Sequence, residues 1–245
     1  MLDRTKHENT MRNILDDIYS HKTLAPILGF KGGTACYFFY KLPRFSTDLD
    51  FNLLNLKKKQ LVYDLLLPLL EKHGKVADKY IKKNTIFFYI VHTKQRTGIK
   101  IEISIRDIEK VNSYELKEFY GTSMLVMKKS DLFANKLIAL KNRGAATSRD
   151  LFDINFFFHQ NWDISKEIVT KVTGVELITY LKELVKFIEK NFNYKTIHLG
   201  LGELVSDPKQ RSFIKNKLID DVINQLNFYI DSETRQINSL TKKMI

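Results

Sequence analysis

The sequence predicts an α+β protein, with a mixed β-sheet and flanking helices first and a helical C-terminal region after it. Three observations carry that expectation. Strand-type alternation is confined to the first half, most cleanly where Ile99, Ile101, Ile103 and Ile105 are interleaved with Lys100, Glu102 and Ser104. Apolar residues at helical spacing recur along the chain and dominate beyond residue 128. The texture changes there without an internal repeat or a low-complexity linker, so the division reads as 1–127 for the α/β core and 128–245 for a helical domain.

Taken in order, residues 5–20 place Met11, Ile14, Leu15 and Ile18 on one helical face. A break follows at 21–26, and the short apolar run 27–30 leads into a glycine turn. Residues 34–41 read as a helix with an aromatic face from Tyr37, Phe38 and Tyr40, ended by Pro43. Asp48 and Asp50 are then placed on a strand, on the face opposite Leu49 and Phe51. A helix over 57–73 turns Leu61, Leu65, Leu66, Leu69 and Leu70 inward, and Pro68 should kink it.

Residues 85–92 and 98–106 form two strands with a short polar connection, which predicts an antiparallel hairpin. One more strand is expected over 121–127. Ser130 or Asp131 can cap a helix that runs to about 142 and stops at Gly144; on it Lys136 shares a face with Arg143. The next helix starts near Ser148, carries Arg149, Asp150 and Asp153 early, and must bury Phe156, Phe157 and Phe158. Helices over 175–190 and 208–230 complete the chain, with fraying after Ser232.

The formal net charge of +12 favours an anionic partner, a nucleotide or nucleic acid, although solvated lysine faces alone can produce it. One cysteine, Cys36, excludes an intramolecular disulfide and a cysteine-based metal site, and fits a reducing cytoplasm. No apolar run approaches the ~20 residues of a membrane-spanning helix. The N-terminal residues lack the apolar core of a signal peptide, so a cytoplasmic protein without membrane contact is expected. The six histidines show no metal-ligand spacing and read as bystanders.

The chemistry concentrates in residues 31–51. Gly32, Gly33 and Thr34 can offer backbone N–H groups and a hydroxyl at a helix N-terminus, where phosphate binds well. Asp48 and Asp50 repel each other, and a hard divalent cation such as Mg2+ relieves that repulsion. A phosphate cradle beside a metal-binding pair points to phosphoryl or nucleotidyl transfer. Glu102, on the solvent face of its strand, would join them if that strand neighbours theirs.

Gly32, Gly33, Thr34 and Ala35 followed by Arg44, Phe45, Ser46, Thr47, Asp48, Leu49, Asp50 and Phe51 resemble the first motif of the DNA polymerase β-like nucleotidyltransferases. The run 131–140 with Asn135 and Lys136, then Arg149, Asp150 and Asp153, resembles the AbiEii/AbiGii type of nucleotidyltransferase toxin. The resemblance implies a nucleotidyltransferase core in which Asp48 and Asp50 hold Mg2+ (or Mn2+). The turn at 32–34, with the Ser46 hydroxyl, would hold the triphosphate of an NTP. Glu102 stands as the third carboxylate and metal ligand, with Glu109, Glu115 and Glu118 nearby in sequence. Lys136 and Arg149 would meet nucleotide phosphate, and Asp150 would supply a further acidic site residue.

For the whole protein the resemblance implies a toxin with a separate antitoxin, moving NMP to an acceptor hydroxyl such as the 3′ end of tRNA. Two rival readings stay open. One is nucleotidylylation of a protein hydroxyl; the other is a regulatory module that binds nucleotide or RNA without turnover.

Overall fold

A computed structural model describes residues 3–92, 98–106, 111–142 and 147–243. The chain divides into two compact units, Met1–Lys128 and Lys129–Ile245. In the first, helix α1 (Arg4–Ser20) is capped by Asp3, whose carboxylate accepts from the Lys6 N–H. It buries Met11, Ile14, Leu15, Ile18 and Tyr19, a helical stripe aimed at the core. Next come β1 (Leu28–Lys31), α2 (Gly32–Tyr40), β2 (Leu49–Leu53), a 3-10 turn (Leu56–Lys58) and α3 (Lys59–Glu71). Five strands follow: β3 (Lys75–Ile81), β4 (Thr85–Val91), β5 (Gly98–Ser104), β6 (Tyr114–Phe119) and β7 (Thr122–Met127).

Among the described residues these strands form one seven-stranded mixed sheet in the order β3-β4-β5-β2-β1-β7-β6. The pairs β2–β5 and β1–β7 are parallel, and the rest are antiparallel. Leu49, Phe51, Ile86, Phe88, Ile90, Ile99, Ile101 and Ile103 are all buried. They lie on the face packed by α1 and α3, where Tyr63 of α3 stacks on Phe88 at 5.1 Å. Burying each such side chain contributes about 1.5–3 kcal/mol, so this face holds the unit together. The opposite face is free to carry polar chemistry.

The second unit is helical: α4 (Lys129–Asn142), α5 (Ser148–His159), α6 (Lys166–Thr173), α7 (Leu177–Asn191), α8 (Pro208–Asn216) and α9 (Leu218–Lys243). Phe133, Phe157 and Trp162 form an aromatic centre, with Phe157 and Trp162 stacked at 4.3 Å. Tyr180 of α7 donates to the Leu137 carbonyl of α4, tying the two helices together.

Several elements depart from the expectations. Strands β3 and β6 were not anticipated, because as sheet edges they are too polar to alternate visibly. Helix α2 begins at Gly32, so the glycine turn is its first turn. Strand β2 begins at Leu49, which leaves Asp48 one residue ahead of it. Leu61 is exposed and Val62 takes the inward position, while α3 runs through Pro68 near its last turn. In the second unit Phe156 is half-buried, α6 was not foreseen, and the last helix breaks between α8 and α9. Beyond Ser232 the chain stays helical to Lys243, and Lys166 pairs with Glu233 at 2.5 Å. Gly144, Arg143 and Glu109 lie outside the described residues.

Candidate active site

The glycine turn is built by close approach. Gly32 has φ +79°, a conformation that costs an L side chain energy, and a Cβ there would come 2.3 Å from Asp50 Oδ2. The peptide of Gly32 therefore lies directly against the aspartate carboxylate. Lys31 gives α2 no side-chain cap, so the first-turn N–H groups of a dipole-positive helix end are offered to an anion. A side chain at Gly33 would meet Arg44 and Ser46, which pack over the turn.

Thr34 and Ser46 are both buried, and their hydroxyls bond each other at 2.9 Å. Thr34 also bonds the Asp48 carbonyl. These two hydroxyls fasten the start of α2 to the segment that delivers Asp48. Arg44 is buried as well, with Nη1 donating to the Phe45 carbonyl at 3.2 Å. It is a residue whose site position the sequence reading did not use. Its signal was present, since a cation lies within the motif that carries the aspartates.

Asp50 is registered in parallel with Glu102, on neighbouring central strands. The side chains of such partners share a face, and here it is the face opposite the buried isoleucines. Thr85 donates to Glu102 Oε1 at 3.3 Å. The described alternatives for the third carboxylate, Glu115 and Glu118, sit on β6 at the far edge of the sheet, beyond β1 and β7. Glu115 accepts from Lys117 at 3.0 Å and from Tyr40 at 3.3 Å, and the Lys117 hydrogen bond is the largest cause holding its carboxyl below the usual range. Register thus brings Glu102, and neither of these, next to Asp50.

The histidine reading needs correction at two positions. His7 is buried, its Nε2 lies 2.9 Å from the Thr47 carbonyl, and its Nδ1 lies 3.0 Å from Nε2 of His92. The two peptides that flank Asp48 are therefore both held, the following one by Thr34 and the preceding one by a histidine pair. No spacing rule could have shown this, because the two rings come from a helix and a strand end far apart in sequence.

In the second unit Lys136 of α4 bridges two carboxylates of α5. Its Nζ is 2.9 Å from Asp150 Oδ1 and 2.9 Å from Asp153 Oδ2. Both aspartates are buried, and Thr147 donates to the second oxygen of Asp150 at 2.5 Å. Arg149, one residue earlier on α5, is half-buried. The first unit thus gathers Gly32, Gly33, Thr34, Ser46, Asp48, Asp50 and Glu102, and the second gathers Lys136, Asp150 and Asp153.

Among the described residues no group of three or more His, Cys, Asp or Glu side chains is placed to hold a metal ion together. The donors nonetheless suit Mg2+, which binds hard oxygens through one or two carboxylates and completes its shell with water and substrate phosphate. Asp48, Asp50 and Glu102 supply only such oxygens.

A mixed sheet with a glycine-opened helix against an aspartate-bearing central strand is a nucleotidyltransferase-like core. The chain belongs to the nucleotidyl transferase AbiEii toxin family of the type IV toxin–antitoxin systems, whose family model matches residues 13–173. Two solved structures share the fold. One is a protein from H. pylori assigned to the nucleotidyltransferases, with 23% identity, TM-score 0.58, and 94% of this chain and 98% of that chain covered. The other is JHP933 from Helicobacter pylori, with 21% identity, TM-score 0.57, and 98% and 99% covered. Among curated proteins none matches the chain. No helix among the described residues is long and apolar enough to cross a membrane.

Proposed function

We propose that the protein transfers NMP from an NTP to a hydroxyl of an RNA acceptor, such as the 3′ end of a tRNA, as the toxin of its toxin–antitoxin pair. The observation that carries this reading is the registration of Asp50 with Glu102 beside the Gly32 turn. The acceptor oxygen attacks the α-phosphorus and a new P–O bond forms. The bond from that phosphorus to the bridging oxygen of the β-phosphate breaks, and pyrophosphate leaves. The proton of the acceptor hydroxyl passes to a carboxylate, assigned to Glu102.

The first-turn N–H groups at Gly32, Gly33 and Thr34, with Arg44 beside them, receive the triphosphate. The Thr34 and Ser46 hydroxyls keep that turn and Asp48 in register. Mg2+ (or Mn2+) held by Asp48, Asp50 and Glu102 would supply charge neutralisation where the pyrophosphate departs. Lys136 and Arg149 are assigned to nucleotide phosphate and Asp150 to the acidic set. What supports a role for the triad is its burial, since an apolar trio of similar volume would stabilise a helix pair at least as well. Family membership implies an antitoxin as partner.

The test is an incubation of the protein with each labelled NTP, purified tRNA and lysate. Label should follow nuclease-sensitive material, and Asp48→Ala with Asp50→Ala should abolish it. Label that follows protease-sensitive material would move the acceptor to a protein hydroxyl. Full transfer by the double variant would remove the metal assignment altogether.

A further inference from the structure

The solvent face of the sheet carries a row of side chains that continues beyond the carboxylates. Asp50 on β2 is registered with Glu102 on β5, Glu102 with Phe87 on β4, and Phe87 with Tyr80 on β3. Cross-strand partners share a face, so these four side chains stand in one line across four adjacent strands. Neighbouring strands lie about 4.8 Å apart, which places Phe87 one strand from Glu102 and Tyr80 two.

The two rings are 4.7 Å apart and inclined by 15°. Their separation matches the strand spacing, so they stand upright and face to face on the sheet, as consecutive bases do in a strand. Lys82 Nζ lies 4.2 Å from the Tyr80 ring centre. Tyr80 covers one face of Phe87, and the opposite face of Phe87 is turned toward β5, the strand of Glu102. Both rings are half-buried, and Lys82, Lys83 and Lys100 around them are exposed.

A cross-strand aromatic pair also stabilises the sheet that bears it. That accounts for the pair, but not for its alignment with the carboxylates or for the cations that surround it. We propose that Phe87 and Tyr80 form the stacking platform for the terminal base of a single-stranded RNA acceptor. The base extends the ring stack over β5, its ribose hydroxyl falls beside Asp50 and Glu102, and the surrounding lysines meet the phosphates upstream. This inference rests on the proposed reaction for the identity of its occupant. Aromatic stacking accepts every base, so the platform sets where the acceptor end lies and imposes little preference on its sequence.

The experiment uses the full chain and a short single-stranded oligoribonucleotide ending in 2-aminopurine, whose fluorescence is quenched by stacking. The protein should bind it with quenching. Phe87→Ala and Tyr80→Ala should each weaken binding about tenfold and relieve the quench, while Phe87→Trp should retain both. Phe87→Leu keeps an apolar side chain on the sheet; with its fold checked by circular dichroism it should behave as Phe87→Ala. Tyr120→Ala removes a highly exposed ring from the β6–β7 turn and should change nothing.

Failure of the protein to bind or quench the oligonucleotide, or Phe87→Leu binding and quenching as the parent does, would overturn the platform. Transfer to RNA that is untouched by Phe87→Leu overturns the platform and leaves the proposed reaction standing. Binding through Phe87 with label transferred only to protein does the reverse.

Discussion

His92 Nε2 lies 3.0 Å from Nδ1 of His7, and His7 donates from Nε2 to the Thr47 carbonyl across 2.9 Å. The carbonyl has no proton to give, so His7 carries a proton on Nε2 and turns Nδ1 to His92. These contacts end at the peptide immediately before Asp48, the first proposed metal ligand. His7→Ala would leave the Thr47 oxygen and the His92 ring nitrogen without this partner in a mostly buried place, a loss of about 2 kcal/mol or more. His7→Gln can donate and accept at similar positions and should recover most of it. Urea midpoints of the three proteins check this, and an alanine variant within about 0.5 kcal/mol of the parent would show that the pair holds nothing.

The same pair predicts a pH dependence of stability. His92 is pushed below its ordinary value of 6.5, first by burial and then by His7 and Lys6, with Asp3 opposing. In the folded state it therefore binds its proton only at lower pH than in the unfolded chain. Between the lowered value and about 6.5 the unfolded state holds more protons, so stability rises with pH across that window. The contribution is complete above the unfolded value and is lost as pH falls through the folded one. Thermal melts from about pH 7 down to pH 5 should show a slope that His92→Gln flattens; an unchanged slope in the variant would dissociate the histidine from the effect.

These histidines mark the limit of what the sequence makes legible. The β4–β5 hairpin could be read directly, because its isoleucines face a packed layer and its polar residues face water, which writes a period of two into the chain. Edge strands β3 and β6 meet fewer neighbours, so Lys75, Lys79, Lys117 and Glu118 are tolerated there and the period is lost. The aspartate motif and Glu102 were legible as residue types. Their adjacency was not, because a parallel register is set by tertiary packing and leaves no local signature. Thr34 and Ser46 could be assigned to the site, yet their burial turns two expected phosphate donors into fasteners of the turn.

Gly32 offers a test of that turn with an internal control. Gly32→Ala forces a side chain into φ +79° and sets its Cβ against the Asp50 carboxylate. Gly121 has φ +85° with nothing within 4 Å of a built Cβ, so Gly121→Ala isolates the backbone cost, about 1 kcal/mol. Any excess destabilisation at position 32 measures the collision with Asp50. Transfer activity should fall about a hundredfold in Gly32→Ala and stay at the parent level in Gly121→Ala. Equal stability losses in the two variants would mean that the turn yields freely and does not fix the carboxylate.

The Lys136 triad separates a structural role from a chemical one. Its ammonium is shared between Asp150 and Asp153, whose side chains are 3% and 0% exposed. Lys136→Met strands two buried carboxylates and should cost about 3–5 kcal/mol, with little dependence on salt because the site is screened poorly by solvent ions. Adding Asp150→Asn and Asp153→Asn removes the stranded charges at nearly constant volume, so the triple variant should regain most of that loss. If the triad serves only to join α4 to α5, nucleotide transfer should return along with stability. If Lys136 and Asp150 act on the nucleotide, the refolded triple variant should stay inactive, and this is the expected result. Melting curves and label transfer measured on the same preparations distinguish the two, since each role moves one readout that the other leaves in place.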